Sequence, residues 1–141
     1  MNATRRTVLI AGALSAITAL SFSSAVFAAS DLVEVQSLNA ANKPITVAVP
    51  KNPQRIAVAD FSVLDTLDHW GLGERIVALP QTTALPYLPQ YFKKSKKVTN
   101  LGTLKEIDLE GLMAAEPDVI FISGRLAKKY DELSKIAPVV F

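Results

Sequence analysis

The chain has 141 residues, half of them hydrophobic, with 15 Lys and Arg against 13 Asp and Glu, one His and no Cys. A formal charge of +2 gives no electrostatic case for nucleic-acid binding. The absence of cysteine excludes disulfides, thiol nucleophiles, thiolate metal sites and lipidation at an N-terminal cysteine.

The first element is an export signal. Arg5 and Arg6 form a positive end, Val8 to Leu20 an apolar run, and Val26-Phe27-Ala28 a small-x-small cleavage site, so residues 1–28 read as a cleavable signal peptide. A membrane anchor fits less well, because Ser15, Thr18, Ser21, Ser23 and Ser24 interrupt a stretch that would need about 20 solidly apolar residues. Thr4-Arg5-Arg6-Thr7-Val8-Leu9 also resembles a twin-arginine signal, and ordinary signals carry paired arginines as well, so both export routes stay open. Cleavage removes Arg5 and Arg6, which makes the remaining basic residues equal in number to the 13 acidic ones. About 113 residues are left, enough for one modest core.

Residues 29–54 form the next unit. Asp31 to Leu38 and Pro44 to Val49 alternate around the polar turn Asn39 to Lys43, which predicts a β-hairpin, and Pro50-Lys51-Asn52-Pro53 ends it. From residue 55 to 141 the pattern changes to short apolar runs separated by amphipathic stretches, the signature of an α/β fold with a parallel sheet covered on both faces. Arg55 to Ala59 is the first strand. Ser62 is the expected N-cap of a helix, with Asp65 completing a capping box, Val63, Leu64, Leu67 and Trp70 on its apolar face, and Gly71 as its stop. Arg75 to Leu79 is a second strand, Leu85 to Phe92 a short helix, Lys93 to Lys97 a solvated basic turn, and Val98-Thr99 a minor strand. Asp108 caps a helix over Leu109 to Glu116, ended by Pro117. Asp118 to Ile122 is a strand, Leu126 to Ile136 a helix with Leu126, Tyr130, Leu133 and Ala137 on one stripe, and Val139-Val140-Phe141 starts another strand. Three apolar residues at the end suggest truncation inside a domain.

Ligands of parallel α/β sheets gather at the carboxyl ends of the strands, here Asp60-Phe61-Ser62, Pro80 to Thr83 and Ser123-Gly124-Arg125. Arg125, Lys128 and Lys129 crowd the expected first turn of the last helix, where the macrodipole disfavours cations, so either an anionic ligand compensates them or they extend into water. Asp65, Asp68 and His69 lie off the apolar face, and one histidine without cysteine makes a poor transition-metal site, so no metal is expected. A small exported hydrolase using Ser123 or Asp60 lacks a nearby base and any Gly-x-Ser-x-Gly turn, so no catalytic residue is assigned.

Taken in order, Val49 to Ile56, Leu64-Asp65-Thr66-Leu67, Gly71-Leu72, Leu101 to Leu104, Asp108-Leu109-Glu110, Pro117 to Ile120 and Ser123-Gly124-Arg125 resemble the periplasmic ferric-siderophore binding proteins of the iron-chelate and vitamin B12 class, the catecholate branch above all. The resemblance implies a two-lobed binding protein of an ABC importer, with two α/β lobes joined by a long helix, of which this chain holds the N-terminal lobe and lacks the second. It implies a monomer that binds a ferric siderophore in the periplasm, carries no covalent cofactor, performs no catalysis and delivers its ligand to an inner-membrane ABC permease. Arg125, assisted by Lys128, would face the catecholate oxygens, and Glu110 would dock on the permease. Cobalamin or haem binding within the same class, and a remnant that only docks on the permease, are the alternatives. With no cysteine after the cut site, a free periplasmic protein is expected rather than a lipoprotein.

Overall fold

The computed structural model describes residues 31–92 and 98–141. The expected signal peptide and the basic turn Lys93 to Lys97 lie outside the described residues.

The hairpin forms as expected. Strands β1 (Leu32–Leu38) and β2 (Pro44–Pro50) pair antiparallel with Val35 opposite Val47. The turn is closed by the Asn39 side chain, which accepts from the N–H groups of Ala41 at 2.9 Å and Lys43 at 3.0 Å, while Asn42 takes the left-handed conformation that asparagine tolerates.

The remaining strands, β3 (Ile56–Val58), β4 (Ile76–Leu79), β5 (Thr99–Asn100), β6 (Val119–Phe121) and β7 (Val139–Val140), make one parallel sheet in the order β5-β4-β3-β6-β7. Helices α1 (Phe61–His69), α2 (Leu109–Ala114) and α3 (Tyr130–Leu133) cover it. Strand residues alternate between two buried clusters. Ile56, Val58 and Val119 pack with Leu64 and Leu67 of α1, whereas Ala57, Ala59 and Ile120 pack with Leu112 of α2 and Leu133 of α3. Alanines on the second face let two helical segments sit close to the sheet. Leu64, Leu112 and Leu133 are fully buried, each worth roughly 1.5–3 kcal/mol of transfer free energy. The hairpin joins this core at the β7 edge, where the buried Ser37 hydroxyl accepts the Phe141 N–H at 2.8 Å.

Four local expectations are corrected. The N-cap of α1 is Asp60, not Ser62: extended at φ −140°, its carboxylate takes the N–H groups of Ser62 and Val63, leaving no donor for an Asp65 capping box. Trp70 is 67% exposed rather than part of the apolar face, because the helix ends at His69 and the chain turns away. Gly71 at φ +72° makes that turn, with Leu72 N–H bonding Leu67 C=O and Gly71 N–H bonding Asp68 C=O, the paired bonds of a Schellman stop. In place of a helix over Leu85 to Phe92, only a 3-10 turn at Pro89–Tyr91 forms. Leu126 to Ile136 is not one α-helix either: Gly124–Lys129 is 3-10 and α3 covers four residues, although Leu126, Tyr130, Leu133 and Ala137 are all buried as their spacing required.

Candidate functional site

Strand order places the crevice. The chain leaves β3 through α1 toward β4 on one face, and leaves β6 through α3 toward β7 on the other, so the connections diverge between β3 and β6. A gap at the carboxyl ends of two such strands is where α/β sheets take ligands. Here it is flanked by Asp60-Phe61-Ser62 and Ser123-Gly124-Arg125, held in register by the Ala59 N–H bonding Phe121 C=O at 2.8 Å.

On the β3 side, Asp60 Oδ1 accepts from Ser62 N–H at 2.7 Å, from Val63 N–H at 3.4 Å and from the Ser62 hydroxyl through a short bond. Partial burial pushes the Asp60 carboxyl up, but the donors of Ser62 and Val63 and the nearby Ser123 hydroxyl outweigh it and hold the group below the ordinary carboxylate range. The Ser123 oxygen is fully buried and near enough to the Asp60 carboxylate to favour its charge, though outside ordinary hydrogen-bond geometry.

On the β6 side, Arg125 and Lys128 are exposed, and neither makes an ion pair or hydrogen bond among the described residues. Lys129 differs: its ammonium pairs with Glu132 at 3.0 Å. The dipole argument for this cluster loses its force, since these cations stand on a 3-10 segment and not at the start of a long α-helix. What remains is position, one unpaired guanidinium two residues beyond the end of the Ser123 loop.

The third strand end is committed to the fold. Gln81 N–H bonds Asn100 Oδ1, the Gln81 amide bonds Tyr91 C=O, and the Thr82 hydroxyl bonds Gly102 C=O at 2.6 Å. Glu110 is exposed in the first turn of α2, whose cap Asp108 donates its N–H to Leu101 C=O just past β5. That bond sets Glu110 at the same pole as Arg125, on a different element.

Asp65, Asp68 and His69 form no metal cluster, and no group of three such ligands occurs among the described residues. Asp68 instead accepts the Tyr91 hydroxyl at 2.6 Å and the Gln90 amide at 3.1 Å beside a hollow of about 420 Å³ that Glu74 also lines. This acid-lined hollow adjoins Gly71 and Gly73, at the end of the sheet opposite the crevice, and its charge is wrong for an anion. The Asp60 cap and the buried Ser123 oxygen were the features sequence reasoning missed. For Asp60 a signal existed, an Asp two residues before the N–H of Ser62; for Ser123 there was none.

With the geometry in place, the comparisons decide the family. The sequence profile described as "Periplasmic binding protein" matches residues 56–141. The chain belongs to the periplasmic binding protein family. Members of this family bind solutes and are not an enzyme class. Among curated relatives, the petrobactin-binding protein YclQ of Bacillus subtilis is 42% identical over 93 residues, which is 66% of this chain and 29% of YclQ. The ferric-anguibactin-binding protein FatB of Vibrio anguillarum is 28% identical over 65% of this chain and 28% of FatB. The crystal structure of YclQ superposes with a TM-score of 0.67 over 77% of this chain and 37% of YclQ, at 37% identity. The periplasmic catecholate-siderophore binding protein VctP of Vibrio cholerae gives 0.61 over 77% of this chain and 37% of VctP, at 34% identity. The chain thus spans about 29% of the length of the curated relatives it matches.

Proposed function

We propose that this chain contributes the N-terminal lobe of the solute-binding component of an ABC importer, which takes up a ferric siderophore of catecholate type in the periplasm. The observation that carries the reading is the unpaired, exposed Arg125 at the carboxyl pole of β6, in a fold shared with siderophore binders.

A ferric tris-catecholate is a triply negative assembly whose charge lies on paired oxygens. A guanidinium presents a planar fork of donors to such pairs, and Lys128 adds a second positive charge without needing to touch iron. Binding is then charge-assisted hydrogen bonding with no covalent step and no resident cofactor. Glu110, exposed at the same pole, is positioned to meet a cation of the inner-membrane permease once the ligand is held. The relative share of YclQ that the chain spans means a second wall is needed to bury the ligand and remove screening water.

Isothermal titration of the complete two-lobed protein with ferric enterobactin tests the reading directly. Binding is expected, and Arg125→Glu weakens it by about tenfold, the worth of one charge-assisted bond at an exposed site. Unchanged affinity in Arg125→Glu removes Arg125 from the site, and tight cobalamin or haem binding in place of the chelate moves the protein to a sister specificity. Trp70 emission is a poor reporter, because α1 carries it roughly 13 Å from the crevice end.

A further inference from the structure

The inward row of the hairpin is apolar except at one place. Val35, Val47 and Val49 meet the core, and Ser37 stands in the same row opposite Ile45, only 5% exposed. A strand that had only a face to bury would carry an apolar β-branched residue there. The Ser37 hydroxyl instead accepts the Phe141 N–H at 2.8 Å and donates to the Phe141 C=O at 3.4 Å. Both bonds fix the backbone of Phe141 just beyond β7, at the outer edge of the sheet.

Phe141 carries that anchorage to the turn that holds Arg125. A Cβ added to Gly124 would lie 4.0 Å from Phe141 Cζ, an ordinary van der Waals distance, so the tip of the ring rests beside the Gly124 backbone. Gly124 and Arg125 are the two central residues of a turn closed by the Leu126 N–H bonding Ser123 C=O at 2.9 Å. Leu126 is fully buried, and Phe141 packs against the same core cluster. Arg125 is the exposed member of the turn, and its side chain makes no hydrogen bond or ion pair among the described residues. The backbone of this turn therefore sets where the guanidinium stands.

Resting on the proposed siderophore function, we infer that Ser37 and Phe141 are positioning residues for Arg125: the N-terminal hairpin, through the Ser37 hydroxyl and the Phe141 ring, braces the turn that presents the guanidinium to the chelate. Neither residue touches the ligand. Their contribution to affinity passes through Arg125 and vanishes with the guanidinium. A bond that served only to satisfy two backbone groups at a sheet edge would act the same with or without Arg125.

The test is a pair of double-mutant cycles in the complete two-lobed protein, titrated calorimetrically with ferric enterobactin. Ser37→Ala, and Phe141→Leu as a milder change that keeps an apolar side chain, are each expected to weaken binding about threefold or more when Arg125 is present. In the Arg125→Gln background the same substitutions should change affinity by less than about 1.5-fold. Ser37→Thr, which keeps the hydroxyl, should restore most of the loss. Amide hydrogen exchange without ligand gives an independent reading: the Leu126 N–H should exchange about threefold or more faster in Ser37→Ala, while the Leu64 N–H, bonded to Asp60 C=O in α1, keeps its rate. Equal losses in both backgrounds, no loss with Arg125 present, or an unchanged Leu126 rate overturn the inference while leaving the siderophore reading intact. If the unsubstituted protein binds no chelate, the proposed function falls and the role of Ser37 and Phe141 in binding falls with it.

Discussion

Substituting Gly73 by alanine sets local propensity against tertiary packing, with opposite predicted signs. Gly73 opens the 3-10 turn Gly73–Arg75 at an ordinary φ, so helix propensity alone favours alanine by up to about 1 kcal/mol. The structure demands the reverse. A Cβ at this position would stand 2.0 Å from the Tyr91 hydroxyl oxygen and 3.1 Å from Cζ, and no side chain tolerates the first distance. Tyr91 is only 6% exposed and its hydroxyl donates to Asp68 at 2.6 Å, so the ring moves only by giving up that bond, a loss of about 1.5–3 kcal/mol for a charged acceptor. Gly73→Ala is therefore expected to destabilise the protein by about 2 kcal/mol in urea unfolding followed by far-UV circular dichroism. A double-mutant cycle isolates the cause. Tyr91→Phe alone loses the bond but leaves Asp68 paired with Gln90 and partly solvated, at about 1–2 kcal/mol. In that background the nearest ring atom is 3.1 Å from the new methyl, a contact relieved by a few tenths of an ångström, so the two substitutions couple by at least about 1 kcal/mol. A Gly73→Ala variant as stable as the unsubstituted protein, or an additive cycle, refutes the argument.

Two further outcomes follow from the same coordinates. Burial, reinforced by the hydrogen bond to Asp68, raises the Tyr91 pKa above its ordinary value of 10.0, so the folded state holds this proton more tightly than the unfolded one. The associated stability is complete below pH 10 and is lost as pH rises toward the folded value, and unfolding measured from pH 9 upward should lose part of this slope in Tyr91→Phe. Glu116 follows the C-cap of α2 at φ +44°, a left-handed conformation that costs a non-glycine residue about 1–2 kcal/mol, part of which glycine returns as chain entropy. Glu116→Gly keeps the backbone carbonyl that Arg55 bonds at 2.9 Å and should raise stability by about 0.5–1 kcal/mol, read as a higher urea midpoint at unchanged slope.

The sheet was legible because its strands are buried on both faces. Ile56 to Ala59 and Val119 to Ile122 are continuous apolar runs, and only a doubly covered parallel strand uses every residue. The hairpin was legible from its alternation, and the α2 cap from Asp108 standing before an apolar run. The errors share one origin, that competition between nearby polar groups is decided in three dimensions. Ser62 and Asp60 both offer an oxygen at the start of α1, and the carboxylate wins because the extended backbone at Asp60 points it at two free N–H groups. Spacing alone placed Trp70 with Leu67, while the left-handed Gly71 ended the helix one residue before it. The stretch after Ser123 kept its buried stripe but not its helix type, since Leu126, Tyr130 and Leu133 share a face on either geometry. Ser37 meets Phe141 across 104 residues, and no local pattern carries such a contact.

The site depends less on net charge than on how individual cations are committed. Three arginines fall among the described residues. Arg55 spends its guanidinium on the Ala115 and Glu116 carbonyls at the end of α2, and Arg75 spends its own on Asn52 and the Pro53 carbonyl. Both bonds serve the fold, one closing a helix C-terminus and the other tying the linker to the sheet. Arg125 has no such duty and stands at the one pole where parallel strands leave room for a ligand. A chain of formal charge +2 attracts no anion at long range through 0.15 M salt, where charges further apart than about 8 Å are screened. In the proposed function, recognition then comes from contact, by an arginine that folding leaves unpaired. The same accounting separates Lys128 from Lys129, adjacent in sequence, because Glu132 neutralises the second at 3.0 Å and leaves the first without an ion pair among the described residues.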